Sequence, residues 1–221
     1  MRDKYFEYFI GKFGEPTLQV PVPIESIAKW RGKLPEQLLT YWSNEGWCAY
    51  VNGLLWTVNP DDFEDLVDEW LADTQLEQVD SFHAIARSAF GDLYLCGEKS
   101  GANVTICCEI NAISALASSL KPKSDENRDN SIRSLFAASS KPDFDLKDEH
   151  GVPLFERAFA RLGPLAPDEV YGFEPAIVLG GKLRLENLAK LKLDVHLTML
   201  RQLAAPKNPF ANIDVEKFLS S

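Results

Sequence analysis

Between Leu34 and Ala86 the chain has no lysine and no arginine, although eleven aspartates and glutamates fall there. Of the 33 acidic residues in the sequence that leaves 22, against 23 basic ones, so one 53-residue segment carries the whole net charge of −10. Such a segment repels phosphates, which excludes nucleic acid as its ligand. Long apolar runs are missing too. No stretch approaches the ~20 residues a membrane span requires. The opening MRDKYFEYFIGKFGEP mixes charges with aromatics and lacks the apolar core of a secretory signal. A soluble, cytoplasmic chain with no membrane partner is expected.

Cysteine is scarce and poorly spaced for a ligand set. Cys48 and Cys96 stand alone, and Cys107 and Cys108 are neighbours that a strand would point to opposite faces. Without a Cys-x-x-Cys or a partnering histidine, reduced and partly buried thiols are expected, and no metal. Catalytic signatures are also lacking. The three histidines, His83, His150 and His196, lie in unrelated contexts. There is no glycine-rich phosphate loop, no nucleophile elbow and no His-Glu-x-x-His. No catalytic residue and no cofactor is assigned. The acid pairs Asp61-Asp62 and Asp168-Glu169 could serve hydrolysis, yet an acidic pair at a helix start ordinarily complements the dipole. A carboxylate enzyme would have to bring His83 or His196 beside clustered acids in a pocket.

What is present reads as a mixed α+β chain: a central antiparallel sheet flanked by helices, with a mostly helical C-terminal part. Residues 1–13 form an amphipathic helix with Tyr5, Phe6, Phe9 and Ile10 on one side, stopped by Gly14. A second helix starts near Pro35 and ends at Gly46. Asn52-Gly53 between two aromatic, β-branched runs predicts a two-residue hairpin. FHAIARSA, DLYLC and VTICCEI extend it as a meander. NAISALASSL reads as a short helix, residues 121–130 as a polar linker, SIRSLFAAS as weakly helical and KPDFDLKDEHG as a loop. PLFERAFARLG is a helix closed by Gly163, and LAPDEVYGFEPAIVLGG a connecting segment. DVHLTMLRQLA is a final helix with Val195, Leu197, Met199, Leu200 and Leu203 on a broad apolar face. Phe210 and Phe218 offer the tail a means of packing.

The stretch NPDDFEDLVDEWLADTQLEQVD, residues 59–80, holds nine of the acids. Asn59 can cap a helix and Pro60 suits its first position. Phe63, Leu66, Val67, Trp70 and Leu71 then form one stripe, leaving the carboxylates to occupy the rest of the circumference. Trp42, Trp47, Trp56 and Trp70 cluster in the same region, mainly at core positions, with one or two at the hairpin rim able to anchor a protein interface.

LPEQLLTYWSNEGW, VNGLLWTVNPDDFEDLVDEWL and FHAIARSAFGDLYLCGE together resemble the GAD-like domain. PLFERAFARLGPLAPDEVYGFEPAIVLGG and ENLAKLKLDVHLTMLRQLA are similar to the immunity-protein C-terminal domain that follows it in partners of type VI secretion system toxins, some of them secreted DNases. Small departures occur: Cys96 stands where an aromatic is expected before Gly97-Glu98, and Lys182 directly follows the glycine pair. The resemblance implies a GAD-like domain over residues 1–120 and an immunity C-terminal domain over residues 131–205, with room for the two to pack as one body. It implies a non-enzymatic inhibitor of a cognate secreted toxin, a nuclease, and supplies no catalytic residues. It also gives the acids a purpose, since a DNase needs a basic surface. Asp61, Asp62, Asp65, Asp68, Glu69 and Asp73 are then the expected toxin-binding residues. A regulatory or scaffold module for some other basic cellular protein is the alternative reading of the same charge.

Overall fold

Seven antiparallel strands in simple sequence order make the frame of the molecule, a computed structural model that describes residues 2–208. The elements run α1 (Lys4–Phe13), β1 (Leu18–Val20), α2 (Ile24–Trp30), α3 (Glu36–Glu45), β2 (Trp47–Tyr50), β3 (Leu55–Thr57), α4 (Glu64–Leu71), α5 (Leu76–Val79), β4 (Phe82–Ser88), β5 (Leu93–Gly97), β6 (Gly101–Cys107), β7 (Ala112–Ala115), α6 (Asp125–Ala138), α7 (Phe155–Leu162), β8 (Glu169–Phe173), β9 (Leu188–Lys192) and α8 (Leu193–Leu203). Strands β8 and β9 form a separate hairpin beside the main sheet. The fold is α+β, as expected. Phe210 and Phe218 lie outside the described residues.

Helices cover the sheet on both sides. Asp3 caps α1 by accepting from the backbone N–H groups of Tyr5 and Phe6, and Phe6, Phe9 and Phe13 are its buried side. Tyr5 points outward instead. Phe9 and Phe136 of α6 meet edge to face with centroids 5.2 Å apart, above Leu55, Ala86 and Tyr94 of the sheet. One residue further along each strand the chain faces the other way. Trp56 and Arg87 are directly paired there, with the guanidinium 4.5 Å from the indole centroid and donating to the Pro167 carbonyl at 2.8 Å.

The C-terminal elements are fastened to the rest of the chain by polar contacts. Tyr171 N–H donates to Ala89 O at 2.9 Å. Trp70 Nε1 donates to Leu197 O at 3.1 Å, and Asn111 Nδ2 donates to Leu200 O at 2.7 Å. His196 Nε2 lies 2.8 Å from Glu109 Oε1, with both side chains buried. Gly172 is what permits this approach, because a Cβ there would stand 2.3 Å from His196 Nε2.

Several local expectations fail, each for a tertiary reason. The Asn52-Gly53 hairpin has a four-residue loop, since Tyr50 pairs with Leu55 and both Val51 and Asn52 take positive φ. Residues 112–115 are strand rather than helix: Ile113 pairs with Ile106, and completing the sheet outweighs a weak helix propensity. The polar stretch 121–130 is not a linker. Ser124 caps α6 there, and the buried stripe Arg128, Ile132, Phe136 begins with a charged residue, which hides it from a hydrophobic pattern. The segment after α7 contains β8. On α8 the buried side is Leu193, His196, Leu197 and Leu200, whereas Val195, Met199 and Leu203 are exposed. Strand β1 and helix α2 lie in a proline-rich entry whose sequence shows no period.

Two measurements test this packing. Trp70→Ala removes a fully buried indole and its bond to α8, and should cost roughly 3–5 kcal/mol in denaturant unfolding. Asp92, beside Gly91 in the β4–β5 turn, is pushed up to about 7, chiefly by burial and then by the Glu109 charge. Glu109 is raised as well, by burial working against the pull of His196. These two carboxyls hold more protons in the folded chain than in the unfolded one between about pH 4 and pH 7, and the stability they contribute falls as pH rises through that window. Asp92→Asn should flatten this fall in a series of unfolding curves.

Candidate functional site

The acidic segment folds as read. Asn59 Oδ1 accepts from Asp61 N–H at 3.3 Å, Pro60 opens a 3-10 turn through Phe63, and α4 follows. Phe63, Leu66, Val67, Trp70 and Leu71 are all buried, so the carboxylates between them are forced outward. Asp61, Asp62, Asp65, Asp68 and Asp73 are exposed, and Glu69 is half-buried.

The structure does not keep these six in one place. Asp65 and Asp68 line a groove of about 570 Å³ between α4–α5 and the start of β4 with the β5–β6 turn. Glu64, Glu77 and Glu98 add carboxylates to it, and Asp80 contributes its base. Asp61 faces α2, where Lys29 Nζ lies 2.7 Å from its Oδ1 and 3.7 Å from Glu64. The base that the segment lacks in sequence thus arrives from a neighbouring helix, and it neutralises one end of the acidic face. Glu69 turns toward α8, accepting from Gln202 Nε2 at 3.3 Å, while Arg201 donates to the Glu69 and Ala72 carbonyls at 3.0 Å. Asp73 sits at φ +63°, and its N–H donates to Glu77 Oε2. An aspartate tolerates that left-handed conformation better than most residues.

Within the groove the acids differ in kind. Asp80 is buried, and its carboxylate accepts from the N–H groups of Ser81, Lys99 and Ser100 and from Ser100 Oγ at 2.7–3.1 Å. It ties the β5–β6 turn to β4. Gly97 makes room for it: a Cβ there would stand 2.3 Å from Asp80 Oδ2. Asp65 and Asp68, by contrast, meet solvent directly. His83 Nε2 is 3.1 Å from Glu98 Oε1, and its ring is edge-on to Trp30 with centroids 4.6 Å apart. Lys33 Nζ approaches the same Glu98 oxygen at 3.8 Å.

Such an arrangement can attract and hold cationic side chains. His83 does stand beside clustered acids in a pocket, the geometry that a carboxylate enzyme would need; it is engaged with Glu98 and Trp30, and Ser81 supplies a hydroxyl to the same groove. His196 has its single acid inside the core. Among the described residues no group of three or more His, Cys, Asp or Glu side chains is placed to hold a metal ion. The four cysteines are free thiols, and Cys48, Cys96 and Cys108 are buried. Among the same residues no helix is long and apolar enough to cross a membrane.

Glu64 and Glu77 were visible in the acidic stretch but lacked a feature to separate them from their neighbours. Glu98 lies outside it, and only the pairing of Phe82 with Gly97 across β4 and β5 brings it near.

Comparison with known proteins completes the description. No curated protein matches the chain. The crystal structure of Atu4351 from Agrobacterium tumefaciens is similar with a TM-score of 0.80 and 24% sequence identity, covering 90% of this chain and 89% of that one. At that identity the likeness establishes the fold. Residues 4–110 match the model of the GAD-like domain, and residues 129–204 match that of the C-terminal domain of the T6SS immunity protein Tdi1. The two matches together take in most of the chain, which belongs among the GAD-like domain proteins that carry a type VI secretion immunity domain of the Tdi1 kind.

Proposed function

We propose that this chain binds and neutralises a cognate type VI secretion toxin, a DNase, in the cytoplasm, and that it transforms nothing itself. The observation that supports this reading is the outward array of carboxylates held on α4 by a fully buried apolar stripe. A nuclease must present a cationic surface to its phosphates. An acidic face that is rigidly supported competes for that surface, accelerates encounter and excludes the substrate. Asp65 and Asp68 at the groove, with Asp61, Asp62, Glu69 and Asp73 around it, are the contacts assigned to the toxin. Lys29 lowers the contribution of Asp61, so the weight falls toward the groove end of the helix.

The same charge would suit a scaffold for another basic protein, and an adjacent toxin gene separates the two. His83 beside Glu98 is the one observation that favours an enzyme. Turnover of a small substrate that disappears in Glu98→Gln would give the groove to that reading.

Mixing the purified chain with the toxin encoded beside it should abolish DNA cleavage and yield a stable complex. Inhibition without a complex would defeat the proposal. Reversing Asp61, Asp65, Asp68 and Asp73 to Lys should slow association roughly tenfold or more at low salt and flatten its dependence on ionic strength. The chain should stay folded because all four side chains are exposed, with a modest drop in melting temperature from the lost Asp61–Lys29 pair and from a lysine at the positive-φ position 73. Unchanged association kinetics would return those residues to solvent.

A further inference from the structure

Charge on one helix speeds encounter but does not by itself make a long-lived complex, and the fold shows where an apolar anchor is available. Val195, Met199 and Leu203 recur every four residues along α8 and are exposed, Val195 at 67%. The side of α8 bearing Arg201 and Gln202 is turned to α4. Two 3-10 turns, Cys108–Ile110 and Ile177–Leu179, pack against α8 and against each other. They add Ile110 at 47% exposure, Val178, and Leu179 at 62%. These six side chains come from three mutually packed elements, two of them in the C-terminal part and one at the end of the GAD-like part. None of the six is among the buried residues of the hydrophobic core. Large exposed apolar side chains concentrated on elements that pack together are a mark of an interaction site.

We propose that this patch is the anchoring half of the toxin interface, taking an apolar protrusion ringed by lysine or arginine; the proposal rests on the immunity reading above. Charge complementarity selects the occupant. The patch is separated from the acidic α4 by the outer ridge of α8, where Asp194 and Gln202 are exposed and Gln202 bonds to Glu69. Two copies of a chain of net charge −10 meeting through α8 would bring their acidic helices toward one another, a repulsive juxtaposition. A cationic partner meets the opposite situation, with its apolar contact on the patch and its charges over α4.

The test uses the full chain and the toxin encoded beside it, with Leu179→Ser, Val195→Ser and Met199→Ser combined. The three positions are exposed, so the melting temperature should hold; should the triple variant be unstable, Val195→Ser alone repeats the measurement. Dissociation from the toxin should accelerate at least tenfold, with the association rate and its salt dependence unchanged. An unaltered dissociation rate, where the parent chain binds tightly, overturns the anchor and leaves the immunity reading standing. A parent chain that does not bind the toxin overturns both. Sedimentation showing a dimer of the free chain that the triple variant abolishes would give the patch to a second copy. Faster association after truncation behind Asn208 would give it to residues 209–221. Either of those results also overturns the proposal.

Discussion

Everything the surface can do depends on the burial of one side of α4. Trp70 is completely enclosed, and its indole N–H is satisfied by the Leu197 carbonyl of α8. Phe63, Leu66, Val67 and Leu71 are buried beside it, where the turn ending at Phe63 packs against β4 and α4 packs against β4 as well as α8. A helix whose apolar side is fixed in this way has no rotational freedom, so its charged side has a defined orientation. The acids need no mutual attraction to stay in place; they repel one another, and the apolar stripe holds them against that repulsion. Lys29 offsets a part of it at the N-terminal end.

The same contact links the two family segments. Trp70 belongs to the GAD-like part and Leu197 to the immunity part, as do Glu109 and His196, Ala89 and Tyr171, and Arg87 and Pro167 on their respective sides. Buried polar links of this kind are expensive to break singly, because the abandoned partner keeps its desolvation cost. They fix how the C-terminal elements meet the sheet more sharply than apolar contact alone would. Helices α4 and α8 are thereby held against each other before any partner arrives, which in the proposed complex lowers the entropic cost of association.

How much of this was legible in the sequence follows from what each signal measures. Capping and periodicity are local, so the stripe from Phe63 to Leu71 announces its helix, although Asn59-Pro60 open a 3-10 turn and α4 itself begins only at Glu64. The meander was also plain, although its third strand begins earlier than VTICCEI, at Gly101, and gives way to a 3-10 turn at Cys108. The failures share one origin. Arg128 occupies a core position of α6 by pairing with Asp125 and the Lys33 carbonyl, so a charged residue masks a buried period. Residues 112–115 gain from Ile106 and its neighbours what their own sequence does not supply. His196 looked unremarkable because its partner, Glu109, is 87 positions away. At the candidate site the acids themselves could be read, but their division could not. Only the fold shows that Asp80 is structural, that Asp61 is paired, and that Glu98 joins Asp65 and Asp68 across the groove.

That division bears on how an inhibitor of this design gains both speed and persistence. Exposed carboxylates act over about a Debye length and raise the encounter rate, yet each is solvated in the free state and contributes little once the complex forms. Exposed apolar side chains act only at contact, where removing them from water slows departure. In the proposed complex, placing the two kinds of group on adjacent helices, α4 and α8, would let a partner be drawn in by charge and then held by burial without either demand compromising the other. An acidic face spread through an apolar patch would lose this separation, because desolvating the carboxylates would oppose the burial that retains the partner. The joint at Trp70 and Leu197 is what keeps the two surfaces adjacent and distinct, and it does so from inside the core.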